Sequence, residues 1–385
     1  MIEKTAKALF LLALIIGAGF FAVIIISFMP GAVFYRPFCM VLAGWVAVLV
    51  LWKYFGVAGR RRFWQVVSVS VLLFLATAAA YELRSQYIRS IPTINEDSLV
   101  LGQYAPFTDG SKAARLAEPA VLALREQLPR LDGATALYPL YAAFAQAVYP
   151  EGEYSPYDSI VSSTTTRQAY DRLIEGEVDI VFAAQPSEEQ LAAAAEKGVE
   201  LKLTPIGKEA FVFFVHADNP VMGLSSSQLR DIYSGRVNNW SEVGGDSREI
   251  RAFQRPENSG SQTILISFMG ETPIEEPPTE DVAGGMGDII TQTADYRNYP
   301  NAIGYSFLFY ATEMASNGDI RLLAVDGVNP SRETIRSGEY PLAKSFYAVT
   351  AGSDNPNIER LINWILSPQG QDLVYKTGYT PLVEQ

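Results

Sequence analysis

Apolar and polar positions divide the chain into two parts. Residues 8–29 run for about 22 positions without a charge, the length an α-helix needs to cross a hydrocarbon core of about 30 Å. Residues 38–52, with an apolar extension to Val57, and residues 63–81 repeat the pattern. Three membrane spans are therefore expected, at about 8–29, 38–57 and 63–81, inside a membrane region of residues 1–89. The first run is too long for the core of a cleaved signal peptide, and no small-x-small site follows it before Pro30.

After residue 90 the long runs stop. Residues 90–112 mix polar residues with Pro and Gly and show no sustained periodicity, which reads as a juxtamembrane linker. Residues 113–128 carry the spacing of an amphipathic helix interrupted by Pro119. Beyond them helical and strand-like segments alternate. Helices are expected at 137–148, 167–175, 187–197 and 226–234, and strands near 159–161, 179–183 and 210–215. Such alternation favours an α/β fold with helices packed on mixed or parallel sheets.

Charge changes the picture in two ways. Lys4 and Lys7 precede the first span, Arg36 alone lies in the first loop, and Lys53, Arg60, Arg61 and Arg62 lie in the second. Basic residues are retained on the cytoplasmic side, so everything after the third span is expected outside the cytoplasm, with Arg84 and Arg89 pulling weakly the other way. Residues 1–90 hold nine basic and two acidic residues, which leaves the remainder a net charge of about −19. A domain so acidic repels polyanions, so nucleic-acid binding through a basic face is not expected. Any anion must be captured by local groups. The single cysteine, Cys39, falls in the second span, so no intramolecular disulfide forms and size must stabilise the outer domain.

Three places combine small hydroxylated residues with the start of an expected helix: GATA at 133–136, SSTTT at 162–166, and SGS at 259–261. A helix amino terminus presents unpaired N–H groups and partial positive charge, suited to an oxyanion. Each is also an ordinary N-cap sequence. The third carries more weight because Arg255 lies four residues before Ser259, within reach of the same spot, and Arg suits bidentate oxyanion contact.

Catalytic chemistry is thin. His216, the sole histidine, reads as a strand-end residue, no Gly-x-Ser-x-Gly elbow is present, and nothing in the pattern asks for a metal or a cofactor. Trp240 and the cluster Tyr305, Phe307, Phe309 and Tyr310 read as core.

Taken in order, DGATALYP at 132–139, GEVDI at 176–180, Asn219-Pro220, LRDIYSG at 229–235, NWSEVGG at 239–245, Arg255 with SGS at 259–261, AIGY at 302–305 and GEYPL at 338–342 resemble the phosphate-binding proteins of phosphate ABC importers. The likeness covers about 131–382. It implies a two-lobed type 2 periplasmic-binding-protein fold, with mixed sheets flanked by helices and two hinge crossings near 205–211 and 342–347. The solute-binding domain is then 113–385, with lobe 1 at about 113–207 and 345–385 and lobe 2 at about 208–344. The resemblance implies ligand contacts from Thr135, Ala136 and Ser162 or Ser163 in the first lobe, and from Arg255, Ser259, Gly260 and Ser261 across the cleft. Where that family places an Asp that accepts the proton of hydrogen phosphate, AAQP at 183–186 puts Gln185, which can accept that proton but does not repel sulfate. The implied function is capture of phosphate or a related oxyanion for an ABC permease in the membrane. A sensor using the same domain is the alternative, and needs a partner protein for its output.

Overall fold

The computed structural model describes residues 2–27, 32–56, 59–91, 93–94, 101–277, 296–314 and 319–382. The chain divides into two compact units, Met1–Ser90 and Ile91–Gln385.

The first unit is three helices, α1 (Ile2–Ile26), α2 (Ala32–Phe55) and α3 (Arg60–Ser90). Each is long and apolar enough to cross a membrane. Polar groups on facing helices find one another. The Trp45 indole donates to the Ser70 hydroxyl at 2.9 Å, and the Tyr35 hydroxyl donates to Glu82. Near that end Phe34 stacks on Tyr81 with centroids 3.9 Å apart. The third helix runs past its expected end at Tyr81 to Ser90. Neither Gly nor Pro interrupts it before Pro92, so polarity alone does not stop the helix.

In the second unit, the elements in chain order are β1 (Thr93–Ile94), β2 (Leu131–Gly133), α4 (Tyr138–Val148), α5 (Thr166–Ile174), β3 (Ile180–Ala183), α6 (Glu188–Glu196), β4 (Lys202–His216), β5 (Gly223–Leu224), α7 (Ser226–Tyr233), β6 (Arg251–Ala252), α8 (Gly260–Met269), β7 (Tyr296–Arg297), β8 (Ala302–Phe307), β9 (Ile320–Leu322), β10 (Ala324–Val325), α9 (Arg332–Ser337), β11 (Ala343–Thr350), α10 (Asn357–Ile365) and α11 (Pro368–Thr377). The main sheet runs β2-β3-β11-β4-β8-β6, with β9 also on β4. Its β2/β3 and β6/β8 pairs are parallel and the others antiparallel.

Strands β4 and β11 make this one sheet serve two lobes. They pair from Ala343↔Ala210 to Thr350↔Lys202, with a register shift between Phe346 and Tyr347. At the shift Gly207 lies against the Phe346 ring, where a Cβ would meet its Cζ at 2.3 Å. Only glycine fits. On one side, α4, α10 and α11 bury Tyr141, Phe144, Trp364 and Leu373 against β2 and β3. On the other, Phe211 and Phe213 of β4 pack with Tyr233, Leu265 and Tyr305. The expected strand at 210–215 is thus the lobe 2 end of a 15-residue strand.

Three expectations are corrected. Residues 113–128 form no helix. The proline interrupts the pattern, and the Gln369 side chain holds the irregular segment by accepting the Val121 amide at 2.8 Å and donating to the Pro119 carbonyl. The strand at 159–161 reduces to one bridge, Val161 to Leu131. The stretch read as a linker packs against the lobe from Leu101, which with Ala105 is buried; its residues 92 and 95–100 lie outside those described.

Candidate functional site

Between the lobes lies a cleft of about 370 Å³, and the starts of helices from both sides open into it. From lobe 1, β2 ends at Gly133, whose Cβ would strike the Phe182 carbonyl oxygen at 2.2 Å, so the chain passes there only as glycine. The Ala134 amide donates to the same carbonyl at 2.9 Å. A short 3₁₀ turn, Thr135–Leu137, then leads into α4. Thr135 and Ala136 line the cleft. Neither Ala134, the N-cap of the 3₁₀ turn, nor Leu137, the N-cap of α4, caps its helix with a side chain.

The second lobe 1 segment is set by Asp132, which is fully buried. Its carboxylate accepts the Thr164 amide at 2.9 Å and the Thr164 hydroxyl at 2.8 Å, and pairs with Arg172. Arg172 also donates to the Ser162 hydroxyl at 3.0 Å, while the Ser162 carbonyl accepts Tyr141 at 2.7 Å. Ser163 is buried, its amide donating to the Pro156 carbonyl. Neither Ser162 nor Ser163 lines the cleft. Its lining comes instead from Thr165 and Thr166. Thr165 has φ of +89°, a conformation costly for a β-branched residue that recurs at ligand clamps.

Across the cleft, Arg255, Ser259, Gly260 and Ser261 all line the same space. Ser259 caps α8 by accepting the Gln262 amide. The Gln262 side chain in turn accepts the Arg255 amide at 3.0 Å, and the Tyr305 hydroxyl accepts that amide at 2.9 Å. Tyr305 also donates to Gln262. This buried network fixes the backbone from which the Arg255 guanidinium reaches the cleft. The aromatic cluster read as core therefore includes a support of the site.

Gln185 does not line the cleft. Its neighbour Ala184 reaches a small recess of about 20 Å³ that shares Ala134, Ala136, Thr166, Gly260 and Phe307 with the cleft. Glu209 of β4 lines the same recess and is buried. Burial pushes its carboxyl up to about 8, against the opposing pull of the Ala210 and Phe309 amides and of Arg332. Asp171 and Arg167 also line the cleft. Burial pushes the Asp171 carboxyl up and Arg167 draws it back. Arg167, Asp171 and Glu209 belong to none of the three segments singled out in the sequence, whereas Thr165 and Thr166 close the SSTTT segment. These two threonines stand at the start of α5, Thr165 as its N-cap residue and Thr166 as its first residue.

Two hydrogen bonds join the lobes beside the cleft. Asn258 of lobe 2 accepts the Ser187 hydroxyl at 2.8 Å and donates to Glu189 at 2.5 Å. His216 lies outside the cleft lining, its Nδ1 accepting the Asp218 amide at 3.0 Å. Among the described residues no group of His, Cys, Asp and Glu is arranged to hold a metal.

A hinged pair of lobes around a cleft lined by helix starts is a binding-protein architecture, and the profile of the PBP superfamily domain matches residues 126–369. The chain belongs to the PBP superfamily. Superfamily members of this kind bind solutes and are not an enzyme family. This PBP-superfamily chain is 27% identical over 257 residues to the phosphate-binding protein PstS of Bacillus subtilis, covering 66% of the chain and 80% of that protein. It is 27% identical over 185 residues to PstS of Borreliella burgdorferi, covering 46% of the chain and 65% of that protein. Its fold matches a Clostridium perfringens protein described as a phosphate ABC transporter substrate-binding protein, solved with phosphate bound. The TM-score is 0.51 at 24% identity, over 66% of this chain and 98% of that one.

Proposed function

We propose that this protein is a membrane-held, extracytoplasmic solute-binding protein that closes its cleft on inorganic phosphate and presents it to an ABC permease. The observation that carries the reading is the convergence of two lobes on one cleft through Thr135 and Ala136, Thr165 and Thr166, and Ser259 to Ser261, with Arg255 among them. Helix-start amides and hydroxyls replace the water around a tetrahedral anion, and one guanidinium supplies the charge. The net acidity of the outer domain does not oppose this, because these donors act at contact distance while scattered surface charges are screened over about 10 Å.

Relatives named phosphate-binding protein PstS support phosphate as the ligand. The three spanning-length helices support attachment to the membrane, and the basic residues before α1 and between α2 and α3 support a multi-pass topology that places the cleft outside the cytoplasm. Binding favours the closed arrangement because only there do both lobes contact the anion, and the closed form is what a permease reads.

Calorimetric titration of the full chain in detergent with phosphate, sulfate and arsenate tests this, alongside Arg255→Ala. Saturable phosphate binding that the variant weakens at least a hundredfold is the expected result. No heat with any of the three anions, from folded protein freed of carried-over ligand, refutes the function.

A further inference from the structure

The recess at the floor of the cleft, about 20 Å³, is about the room one water-sized group occupies. It shares walls with the cleft at Ala134, Ala136, Thr166 and Gly260, and Glu209 closes it from the hinge strand β4. One oxygen of Glu209 accepts the Ala210 amide at 2.9 Å. The other, Oε2, is buried with no hydrogen-bond partner; the Phe309 amide faces the carboxyl without closing a bond of normal geometry. A buried polar atom left unpaired costs free energy, so its persistence calls for a partner that arrives with the ligand.

Hydrogen phosphate brings such a partner. It carries a P–OH, whereas sulfate carries none, and a buried carboxylate, once ionised, accepts the first and repels the second. On the loop where the sequence placed a proton acceptor, Ala184 faces the recess and Gln185 does not line it. Resting on the phosphate-binding reading above, we propose that Glu209 is the specificity-determining residue of the cleft, accepting through Oε2 the hydroxyl of a protonated oxyanion seated in the recess.

The charge state of Glu209 decides how strongly it discriminates. The groups facing it are Lys344 from β11, its partner across the ladder, Arg332 from α9, and Tyr379 after α11, with Tyr104 and Tyr141 beyond Tyr379. While protonated, Glu209 donates to a bare anion oxygen and tolerates sulfate. Once ionised, it accepts only. The preference for phosphate over sulfate therefore grows as pH rises through about 8.

The test measures dissociation constants of the full chain for phosphate and sulfate from pH 6.5 to 9.5, in the wild-type protein and in Glu209→Gln, which stays neutral throughout. The wild-type preference rises tenfold or more across that range, and in the variant it stays low and flat. Phosphate's own titration affects both proteins alike and cancels at each pH. A second measurement needs no variant: calorimetry at pH 9 in buffers of different ionisation enthalpy. Sulfate either fails to bind or binds with uptake of about one proton, while phosphate binds with none. Equal preferences in the two proteins at every pH, or sulfate binding at pH 9 without proton uptake, overturns the proposal alone. Failure of the wild-type protein to bind either anion overturns it together with the function it rests on.

Discussion

Gly260, the first residue of α8, lies so close to Thr166, the first residue of α5, that a Cβ on Gly260 would stand 3.1 Å from the Thr166 hydroxyl oxygen. The two helix starts thus approach one another across the cleft, and the absence of a side chain on one sets how far the lobes close. Gly260→Ala forces Thr166 or the whole lobe to give by a few tenths of an ångström. Phosphate affinity is expected to fall about tenfold, or about 1.4 kcal/mol. Calorimetry of the variant checks the loss. An unchanged dissociation constant would mean that the lobes close with room to spare.

Asn258 supplies a second constraint on closure. Its bonds to Ser187 and Glu189 cross from one lobe to the other, so they exist only while the lobes are together. Each such bond is worth about 1 kcal/mol, and the charge-assisted one to Glu189 somewhat more. Asn258 has φ of +64°, which Gly adopts without strain, so Asn258→Gly removes the bonds and keeps the backbone. Phosphate dissociation is expected to quicken at least tenfold with little change in association rate, since opening and not encounter breaks the contacts. Stopped-flow fluorescence separates the two rates, and a variant slowed only in association contradicts the assignment.

All three helix starts line the cleft, the first and the third through the residues that the sequence singles out, because Gly133 and the SGS at 259–261 fix their own local geometry. The middle segment was legible only to within three residues. Which hydroxyls of SSTTT face the cleft depends on Asp132 gripping Thr164 and Arg172 gripping Ser162, contacts that span 32 and 10 residues of chain. Glu209 was invisible for the same reason. In sequence it is a polar residue near the middle of an apolar strand, and its burial is completed by Ser345 and Tyr379, more than a hundred residues later. The helix expected at 113–128 failed where periodicity was followed through Pro119.

Thr165 offers a test of strain. At φ of +89° and ψ of 160° it occupies a region that β-branched residues avoid, at a cost of about 1–3 kcal/mol. Thr165→Gly relieves that strain and Thr165→Ala does not, so the glycine variant is expected to unfold at higher denaturant than the alanine variant, by about 1 kcal/mol. If the position serves the ligand, both variants lose phosphate affinity although their stabilities differ. Denaturant titration beside calorimetry reads the two effects separately, and a glycine variant less stable than the alanine one refutes the strain.

Asp179 makes the second unit, Ile91–Gln385, sensitive to acid. Burial alone would raise its carboxyl, but the Arg130 side chain, the Arg130 amide and the Ser353 hydroxyl outweigh that and hold it below the ordinary carboxylate range. The distances are 2.9 Å to the guanidinium, 2.8 Å to the amide and 2.7 Å to the hydroxyl. A carboxyl depressed in the folded state binds its proton more readily when unfolded. Its contribution is therefore complete above the unfolded value of about 3.9 and is lost as pH falls through the folded value. Asp179→Asn should cost about 2 kcal/mol at pH 7, where the charge-assisted bonds are intact. That difference should shrink steadily below about pH 4, where the wild-type carboxylate takes up its proton. Urea denaturation of both proteins between pH 3 and pH 7 measures it, and a gap that stays constant across the range would show that Asp179 stabilises by shape and not by charge.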